Sequence, residues 1–381
     1  MIYSLIYFFM DVSLQIYSDI KNKEECEIQI YDSCVNLNNM LNDNLTSWKN
    51  KINDNKNWDV AKRISNTFEF IFSSGYNKVN VSKKKPISRS YFKLWEIMHD
   101  FDLMKPGIQT AHIAEGPGGF IECICDYVTK YNITTHTIYG ITLSSSNNKK
   151  IPSWKIPRWI LNKHNVNLYD IDDGNIYNMR TINNFINFVG YNSCSLVTSD
   201  GGFDFSADFN NQELHSLKLM ICEIFIGLNI QKSYGNMLVK VFDLFSIRTI
   251  KLISLCSEFY ESFIILKPQT SRPANSEKYI LFQNYNNILF NNHKKNLMIL
   301  KSTIEHDDLT IFDTYSVIKD VIVGVTKFNV IYTSSQIHFL DKTLKLSNTD
   351  MNTFVKNKHF QNNVAQCKEW CTKYMLETIS N

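Results

Sequence analysis

Between about residues 85 and 290, short apolar runs alternate with longer amphipathic segments. This alternation is typical of βαβ units, in which helices cross between parallel strands and cover both faces of a sheet. The runs predicted as strands are "TAHIAE", "HTIYGITL", "VNLYDI", "CSLVTSDGG", "NMLVKVF", "SFIILKP" and "KYILFQNY". Helices are predicted near 120–130, 178–188, 211–229 and 247–258, because apolar residues there recur three and four positions apart. The predicted class is α/β, with a seven-stranded, mostly parallel sheet.

The last two predicted strands are joined only by "QTSRPANSE", residues 269–277. Parallel neighbours need a crossover connection of a dozen or more residues. The sequence therefore predicts that the seventh strand is antiparallel, while the first six are able to run parallel.

The flanking parts of the chain have a different texture. Residues 1–80 carry helical patterning, and the charged break "KKKP" at 83–86 follows. We predict an N-terminal, mainly helical extension (1–80), a central domain (81–290) and a C-terminal accessory region (291–381). The opening run "MIYSLIYFFM" is too short to span a bilayer, so no membrane association is predicted.

Composition excludes some functional classes. The net charge is only +3, so a site for a polyanion must be a local basic patch. Nine cysteines show no pair of matching spacings, so we predict free thiols and no metal site. We recognise no targeting signal, and we expect a cytoplasmic location.

The stretch "AEGPGGF", residues 114–120, follows the first predicted strand and allows three interpretations. It could be a tight turn. A dinucleotide site would require G-x-G-x-x-G, and Pro117 removes a donor that a phosphate cradle needs. The third interpretation is a loop beneath a small ligand, with Glu115 at the carboxyl end of the strand. A carboxylate there suits a cationic ligand such as S-adenosylmethionine, which carries an ammonium and a sulfonium.

Five motifs, taken in order, give a specific resemblance. They are "SRSYFKLWEI" (88–97), "AEGPGGF", "SDGGF" (199–203), "VKVFDLF" (239–245) and "KPQTSRPANSEKYI" (267–280). Together they resemble the FtsJ-like (RrmJ-type) ribose 2′-O-methyltransferases, and especially the Adrift-type mRNA cap methyltransferases of eukaryotes and large DNA viruses. The resemblance covers about residues 85–285. It implies a Rossmann-like, S-adenosylmethionine-dependent methyltransferase fold with terminal extensions.

The resemblance also implies a catalytic tetrad of Lys93, Asp200, Lys240 and Glu277. A ribose hydroxyl is a poor nucleophile until its proton leaves, and a free lysine, with a pKa of roughly 10.4, is a poor base at neutral pH. We expect burial and the second lysine to lower the pKa of Lys240, which would then assist deprotonation. Alternatively, the lysines stabilise the developing alkoxide.

For the methyl donor, the resemblance and the loop chemistry select one set of residues. The set is Glu115, Gly116, Pro117, Gly118, Gly119, Phe120, Thr142, Asp173 and Asp200. The second strand ends in "YGITL" without the acid that often binds a cofactor ribose. Of the acids after the third strand we favour Asp173, over Asp172, for the adenosine edge. A solvated acidic turn is the alternative.

For RNA, local cations and aromatic faces are the relevant signals. We predict phosphate contacts for Lys155, Arg158 and Arg272, with Trp154 and Trp159 interleaved as stacking candidates. A solvated loop with one tryptophan anchored in the core is the alternative.

The resemblance implies methylation of the cap-proximal nucleotide of mRNA, with capping or transcription machinery as partners. Methylation of ribosomal or transfer RNA, and an inactive cap-binding subunit, are the alternatives. By analogy, the source is a large DNA virus, with the viral factory or virion as a location.

Overall fold

The computed structural model describes residues 28–52, 55–73, 79–104, 107–144, 153–202, 210–286 and 290–379. The strands are β1 Ile108–Ile113, β2 His136–Ile141, β3 Val166–Leu168, β4 Cys194–Ser199, β5 Gln231–Val241, β6 Tyr260–Leu266 and β7 Lys278–Tyr285. The helices of the central region are α3 Ser90–Phe101, α4 Gly119–Lys130, α5 Arg158–Lys163, α6 Met179–Val189, α7 Gln212–Ile230 and α8 Ile247–Ser257. The flanking helices are α1 Ile28–Asn50, α2 Trp58–Ile64, α9 Phe290–His306, α10 Lys319–Lys345, α11 Met351–Phe354 and α12 Lys358–Lys373.

The strands form one seven-stranded sheet in the order β3-β2-β1-β4-β5-β7-β6. Neighbours from β3 to β5 pair in parallel, whereas β7 pairs antiparallel with both β5 and β6. The predicted α/β class and the antiparallel seventh strand are confirmed.

Side-chain alternation explains why both faces of the sheet are covered. On β7, Ile280 and Phe282 join one core cluster, and Tyr279 and Leu281 join the other. Helices α6, α7 and α8 cover the first face, and α3 and α4 cover the second. Strands buried on both faces become nearly continuous apolar runs, which is why they were recognisable in the sequence.

Several strands end earlier than the apolar runs predicted. The last paired residues of β1 and β4 are Ile113 and Ser199, which lie opposite each other. Beyond them the two strands form no further pairs in the sheet, although Asp200 N still donates to the Ile113 carbonyl oxygen at 3.4 Å. Ala114, with φ of 54°, and Asp200 enter loops at the same edge of the sheet. β3 stops at Leu168, although the run continues to residue 171.

The flanking helices pack directly against the central region. α1 lies along α10, where Asn38 Nδ2 donates to Thr326 Oγ1 at 3.0 Å. Leu300 on α9 and Val321 on α10 belong to the same core cluster as the sheet. The division of the chain near residues 80 and 290 stays a prediction. No helix in the described ranges is long and apolar enough to cross a membrane, and the opening run "MIYSLIYFFM" lies outside those ranges.

Candidate active site

Strand register brings the four predicted tetrad residues to one edge of the sheet. Ser199 on β4 pairs with Val239 on β5, so Asp200 and Lys240 are neighbours. Lys240 in turn lies opposite Tyr279 on antiparallel β7, which places Glu277 just beyond. Lys93 reaches the same place from the first turn of α3.

The tetrad forms two connected ion pairs. Lys93 Nζ lies 2.7 Å from Glu277 Oε1, and Lys240 Nζ lies 3.2 Å from Asp200 Oδ1. Lys240 Nζ also donates to the Asp200 carbonyl oxygen at 2.7 Å. The four side chains are only 11–14% exposed, which strengthens their mutual interaction relative to water.

The electrostatics correct one expectation about Lys240. Burial alone lowers the pKa of this lysine, but Asp200 and Glu277 outweigh burial, and the net pKa is raised above its ordinary value. The expected lowering is therefore wrong, because neighbouring carboxylates dominate the local potential. Burial likewise opposes ionisation of Glu277, yet Lys93 and Lys240 lower its pKa to about 2. The arrangement favours a charged Lys240 at neutral pH.

Two residues that the sequence analysis did not single out hold the carboxylates. The hydroxyl of Tyr279, a fully buried residue, donates to Asp200 Oδ1 at 2.9 Å. Ser271 Oγ donates to Glu277 Oε1 at 2.8 Å. The polar tip of Tyr279, two residues after the predicted glutamate, was the available signal, since a buried tyrosine hydroxyl usually has a partner.

The segment 267–277, which ends on Glu277, is anchored at several points. Lys267 Nζ donates to the carbonyl oxygens of Glu277 at 2.6 Å and Asn275 at 3.0 Å. Burial lowers the pKa of Lys267 well below its ordinary value, although Glu277 opposes this. Glu96, one turn beyond Lys93 on α3, accepts the backbone N–H of Gln269 at 2.6 Å. α3 therefore both carries Lys93 and fixes the segment that presents its partner.

Arg272, predicted to contact RNA, forms a bidentate pair inside the protein. Its Nε and Nη2 atoms each lie 3.0 Å from a carboxylate oxygen of Glu69, which is 1% exposed. Burial raises the pKa of Glu69, but Arg89 and Arg272 reverse the effect and the net pKa is lowered. Arg89 also donates to the Thr270 carbonyl oxygen at 3.3 Å. An RNA contact by Arg272 stays a prediction, whereas its role in anchoring the segment is direct.

Replacing Arg272 by lysine should lower the free energy of unfolding by about 1–2 kcal/mol, because lysine keeps the charge but loses the bidentate geometry. Chemical denaturation measures this change, with Arg158→Lys on the exposed surface as the control. An unchanged stability together with weakened RNA binding would favour the RNA contact over the anchoring role.

A second buried ionic cluster lies beside the tetrad. Lys49, at the end of α1, places Nζ 2.6 Å from Asp243 Oδ2, and Lys278 Nζ lies 3.5 Å from Asp243 Oδ1. Ser276 Oγ donates to Asp243 Oδ2 at 3.1 Å. All four side chains are at most 7% exposed. Burial lowers the pKa of Lys278 to about 8 even though Asp243 opposes this. The cluster ties α1 to the residues that follow Lys240 and Glu277.

The glycine loop follows β1, as predicted, but Glu115 is turned inward. Its Oε1 accepts the N–H of Phe120 at 2.6 Å, at the N-terminus of α4, and its Oε2 has no hydrogen-bond partner in the described part of the chain. Burial raises the pKa of Glu115 well above its ordinary value. Phe120 itself is fully buried. Contacts of Glu115 and Phe120 with a methyl donor stay predictions. Glu115 also caps the N-terminus of α4 through the Phe120 N–H.

Two glycines of this loop, Gly118 and Gly119, are closely packed inside the protein. Gly118 has φ of 115°, and a Cβ there would overlap the Ile156 side chain. A Cβ on Gly119 would overlap Ser88 Oγ. The loop therefore has a structural need for glycine, in addition to the expected closeness to a ligand. The direct contacts predicted for Gly116, Pro117, Gly118 and Gly119 stay predictions.

Thr142 links the glycine loop to the acidic turn after β3. Its Oγ1 accepts the Gly116 N–H at 3.1 Å, and its carbonyl oxygen would overlap a Cβ on Gly174. Ser144 N donates to the Asp173 carbonyl oxygen at 2.8 Å. Residues that follow the ends of β1, β2 and β3 are thus joined into one rim, which consists of Gly116, Thr142, Ser144, Asp173 and Gly174.

The two acids of this rim are in different environments. Asp172 is occupied by its own turn, accepting from the Tyr169 hydroxyl at 2.7 Å and from Gly174 N at 3.0 Å. Asp173 is exposed, and one carboxylate oxygen accepts the Asn175 N–H at 3.0 Å. The exposed carboxylate agrees with the preference for Asp173, whose ligand role stays a prediction.

The predicted RNA-binding stretch borders the glycine loop. Lys155 N donates to the Pro117 carbonyl oxygen at 2.9 Å, and the side chains of Lys155 and Arg158 are exposed. Trp159 is 57% exposed, whereas Trp154 packs against the core. Trp159 therefore fits the interpretation of an exposed stacking residue, and Trp154 fits the interpretation of a tryptophan anchored in the core.

Within the ranges that the structure covers, no group of three or more His, Cys, Asp or Glu side chains is arranged to hold a metal ion.

Sequence comparisons find curated relatives of this chain. A mouse protein, cap-specific mRNA (nucleoside-2′-O-)-methyltransferase 1, is 30% identical over 227 residues, covering 58% of this chain and 25% of that protein. A Drosophila melanogaster protein, cap-specific mRNA (nucleoside-2′-O-)-methyltransferase 2, is 27% identical over 267 residues, covering 65% and 36%. The chain thus spans between a quarter and about a third of these relatives' lengths.

Among solved structures, a putative ribosomal RNA methyltransferase from Plasmodium falciparum overlaps with a TM-score of 0.40 and 19% identity, covering 52% of this chain and 97% of that one. The profile of the FtsJ-like methyltransferases matches residues 86–285, which contain the whole sheet and all four tetrad residues. With more than half of its residues in that match, the chain belongs to the FtsJ-like methyltransferase family.

Proposed function

We propose that this protein transfers a methyl group from S-adenosylmethionine to a ribose 2′-hydroxyl of capped mRNA, at a cap-proximal nucleotide. The observation that carries the proposal is the convergence of Lys93, Asp200, Lys240 and Glu277 at one edge of the sheet. Similarity to two cap-specific mRNA methyltransferases supports mRNA as the substrate class.

The rim around the glycine loop suits the methyl donor. Its chemistry comprises a buried carboxyl oxygen without a partner in the described chain, at Glu115, and an exposed carboxylate at Asp173. Thr142 and Gly116 would complete the donor site. When bound, S-adenosylmethionine supplies an electrophilic methyl group on its sulfonium sulfur. The rest of the donor leaves as a neutral thioether.

The residues of this chain act on the acceptor oxygen. Because the pKa of Lys240 is raised, its ammonium form predominates, and we propose that it stabilises the alkoxide as the 2′-hydroxyl proton leaves to solvent. Asp200 and Glu277 hold the two lysines in place through the ion pairs described above. Positioning of the hydroxyl supplies much of the remaining acceleration.

The surface beside the donor loop suits RNA. Lys155 and Arg158 offer exposed cations for phosphates, and Trp159 offers an exposed aromatic face on which a base is able to stack. Contact with capping or transcription machinery and a cytoplasmic location stay predictions.

The cap assignment is tested with two RNAs of one sequence, one capped and one uncapped, each supplied with labelled S-adenosylmethionine. We expect the capped RNA to be methylated at least about tenfold more efficiently, a difference of about 1.4 kcal/mol in transition-state binding. Equal methylation would contradict the cap assignment while leaving the ribose chemistry intact, and would favour ribosomal or transfer RNA. If the protein bound RNA but transferred no methyl group to it, the inactive-subunit alternative would be favoured.

A further inference from the structure

Glu223 is a buried acid that is not a member of the tetrad but lies next to it, beside the turn that follows Asp200. Glu223 sits in the apolar stretch "LMICEIFIG" of α7, and it is 1% exposed. A carboxyl group buried among apolar side chains costs free energy unless polar partners compensate. Its position therefore requires an explanation, which its contacts provide.

Glu223 supports the turn that carries Asp200. Gly201 N donates to Glu223 Oε1 at 3.2 Å, and a Cβ on Gly201 would overlap that oxygen. A Cβ on Gly202 would lie 3.0 Å from Lys240 Nζ. The "DGG" turn thus passes between Glu223 and Lys240, and a side chain added at either glycine would press on one of them.

The same turn presents Asp200 to its lysine. The Asp200 carbonyl oxygen accepts from Lys240 Nζ at 2.7 Å, and the next peptide N–H is the one held by Glu223. A shift of the Gly201 peptide would therefore move Asp200 relative to Lys240. Displacements of this kind are costly for a reaction that depends on positioning.

We propose that Glu223 is a positioning residue for the methyl transfer, whose carboxyl group fixes the Asp200–Gly201 turn and, when ionised, adds negative charge beside Lys240. The inference rests on the proposed function, since the reaction is the one that the tetrad would catalyse.

The charge state of Glu223 makes the proposal measurable. Burial raises its pKa to about 8, while Lys240 opposes the rise and Asp200 adds to it. Tyr177 and Cys222 are the other titratable groups that interact with this carboxyl. Below pH 8 the protonated acid is a neutral acceptor, and above it the carboxylate accepts the Gly201 N–H more strongly. The rate should therefore rise as the pH passes through about 8.

The primary test compares the pH dependence of kcat for wild type and Glu223→Gln, which keeps the shape and the acceptor but cannot ionise. We expect the wild-type rise near pH 8 to be absent from the variant, with a rate about tenfold lower above it and an unchanged KM for S-adenosylmethionine. Superimposable profiles would overturn the proposal.

Glu213→Gln is the matched control on the same helix. Glu213 is also buried, and burial raises its pKa to about 7, but it accepts the N–H groups of Phe245 at 3.1 Å and Ser246 at 2.8 Å instead. We expect its pH profile of kcat to follow the wild type. A profile altered in the same way as Glu223→Gln would show a general effect of removing a buried acid, and would overturn the proposal.

A second measurement remains if Glu223→Gln fails to fold or if wild type transfers no methyl group. The carboxyl carbon of Glu223 is titrated by ¹³C NMR in wild type and in Lys240→Met. Loss of the opposing cation should move the titration of Glu223 to higher pH. An identical titration would overturn the charge coupling, whereas absence of methyl transfer by wild type would contradict the proposed function alone.

Discussion

Replacing Lys240 by methionine should lower the rate of methyl transfer about a thousandfold, while the affinity for S-adenosylmethionine changes little. Methionine keeps an apolar side chain of similar length and removes the ammonium group, whose Nζ lies 5.9 Å from the centroid of the Phe242 ring. The Lys240 side chain is 11% exposed, and its Nζ lies 3.2 Å from Asp200 Oδ1. Single-turnover transfer to capped RNA measures the rate, and calorimetric titration measures the affinity.

Two variants define the meaning of this result. Lys240→Arg keeps the charge and should retain more activity than Lys240→Met if the lysine acts electrostatically, because arginine cannot serve as a base. Lys251→Met removes another buried lysine, whose Nζ donates to the Asp313 carbonyl oxygen at 2.7 Å. Lys251 is not part of the tetrad, so this variant should leave the rate near that of wild type. Unchanged turnover in Lys240→Met would refute the catalytic role of this residue.

Replacing Asp243 by asparagine should lower the free energy of unfolding by about 3–5 kcal/mol. The change leaves Lys49 and Lys278, at 6% and 2% side-chain exposure, without the carboxylate that compensates both. Burial then disfavours the charged forms of both lysines, and the negative charge of Asp243 that compensated for burial is gone. Urea denaturation followed by tryptophan fluorescence measures the loss.

Asp341→Asn is the matched control, because it removes a carboxylate from an exposed ion pair with Lys345 on α10. Surface pairs of this kind contribute about 0–1 kcal/mol. If the two variants lost the same free energy of unfolding, the result would contradict the view that the Asp243 cluster stabilises the packing of α1 against the sheet.

The sheet could be predicted because the patterns that determine its strands are local, and the tetrad was predicted from the family resemblance of its motifs. β7 was predicted at its observed limits, Lys278–Tyr285, since most of the run is buried on both faces and its centre, Tyr279–Phe282, is apolar. Once the strands are paired, their register alone brings Asp200 and Lys240 together. A pattern of short, buried strands therefore carries much of the active-site geometry.

The supports of the site could not be predicted, because their partners are distant in sequence. Asp243 meets Lys49 from 194 residues away, and Arg272 meets Glu69 from 203 residues away. No periodicity links such pairs. Glu223 did carry a signal, since it is an acid in the middle of an otherwise apolar helix, where charged residues are rarely buried without a partner.

The protonation of Lys240 was wrongly predicted for a related reason. The sequence shows that two lysines and two carboxylates belong to one site, but the sign of the pKa shift depends on their distances. The ion pair of Lys240 with Asp200 decides that sign in favour of the charged lysine.

The central claim, methylation of a ribose hydroxyl by the tetrad, is tested most directly by identifying the product. Wild type and Lys240→Met are each incubated with capped RNA and methyl-labelled S-adenosylmethionine, and the RNA is digested to nucleosides. We expect that wild type places the label in a 2′-O-methylated nucleoside and that Lys240→Met does not. A label on a base would contradict it, as would no label from wild-type protein shown to bind the methyl donor.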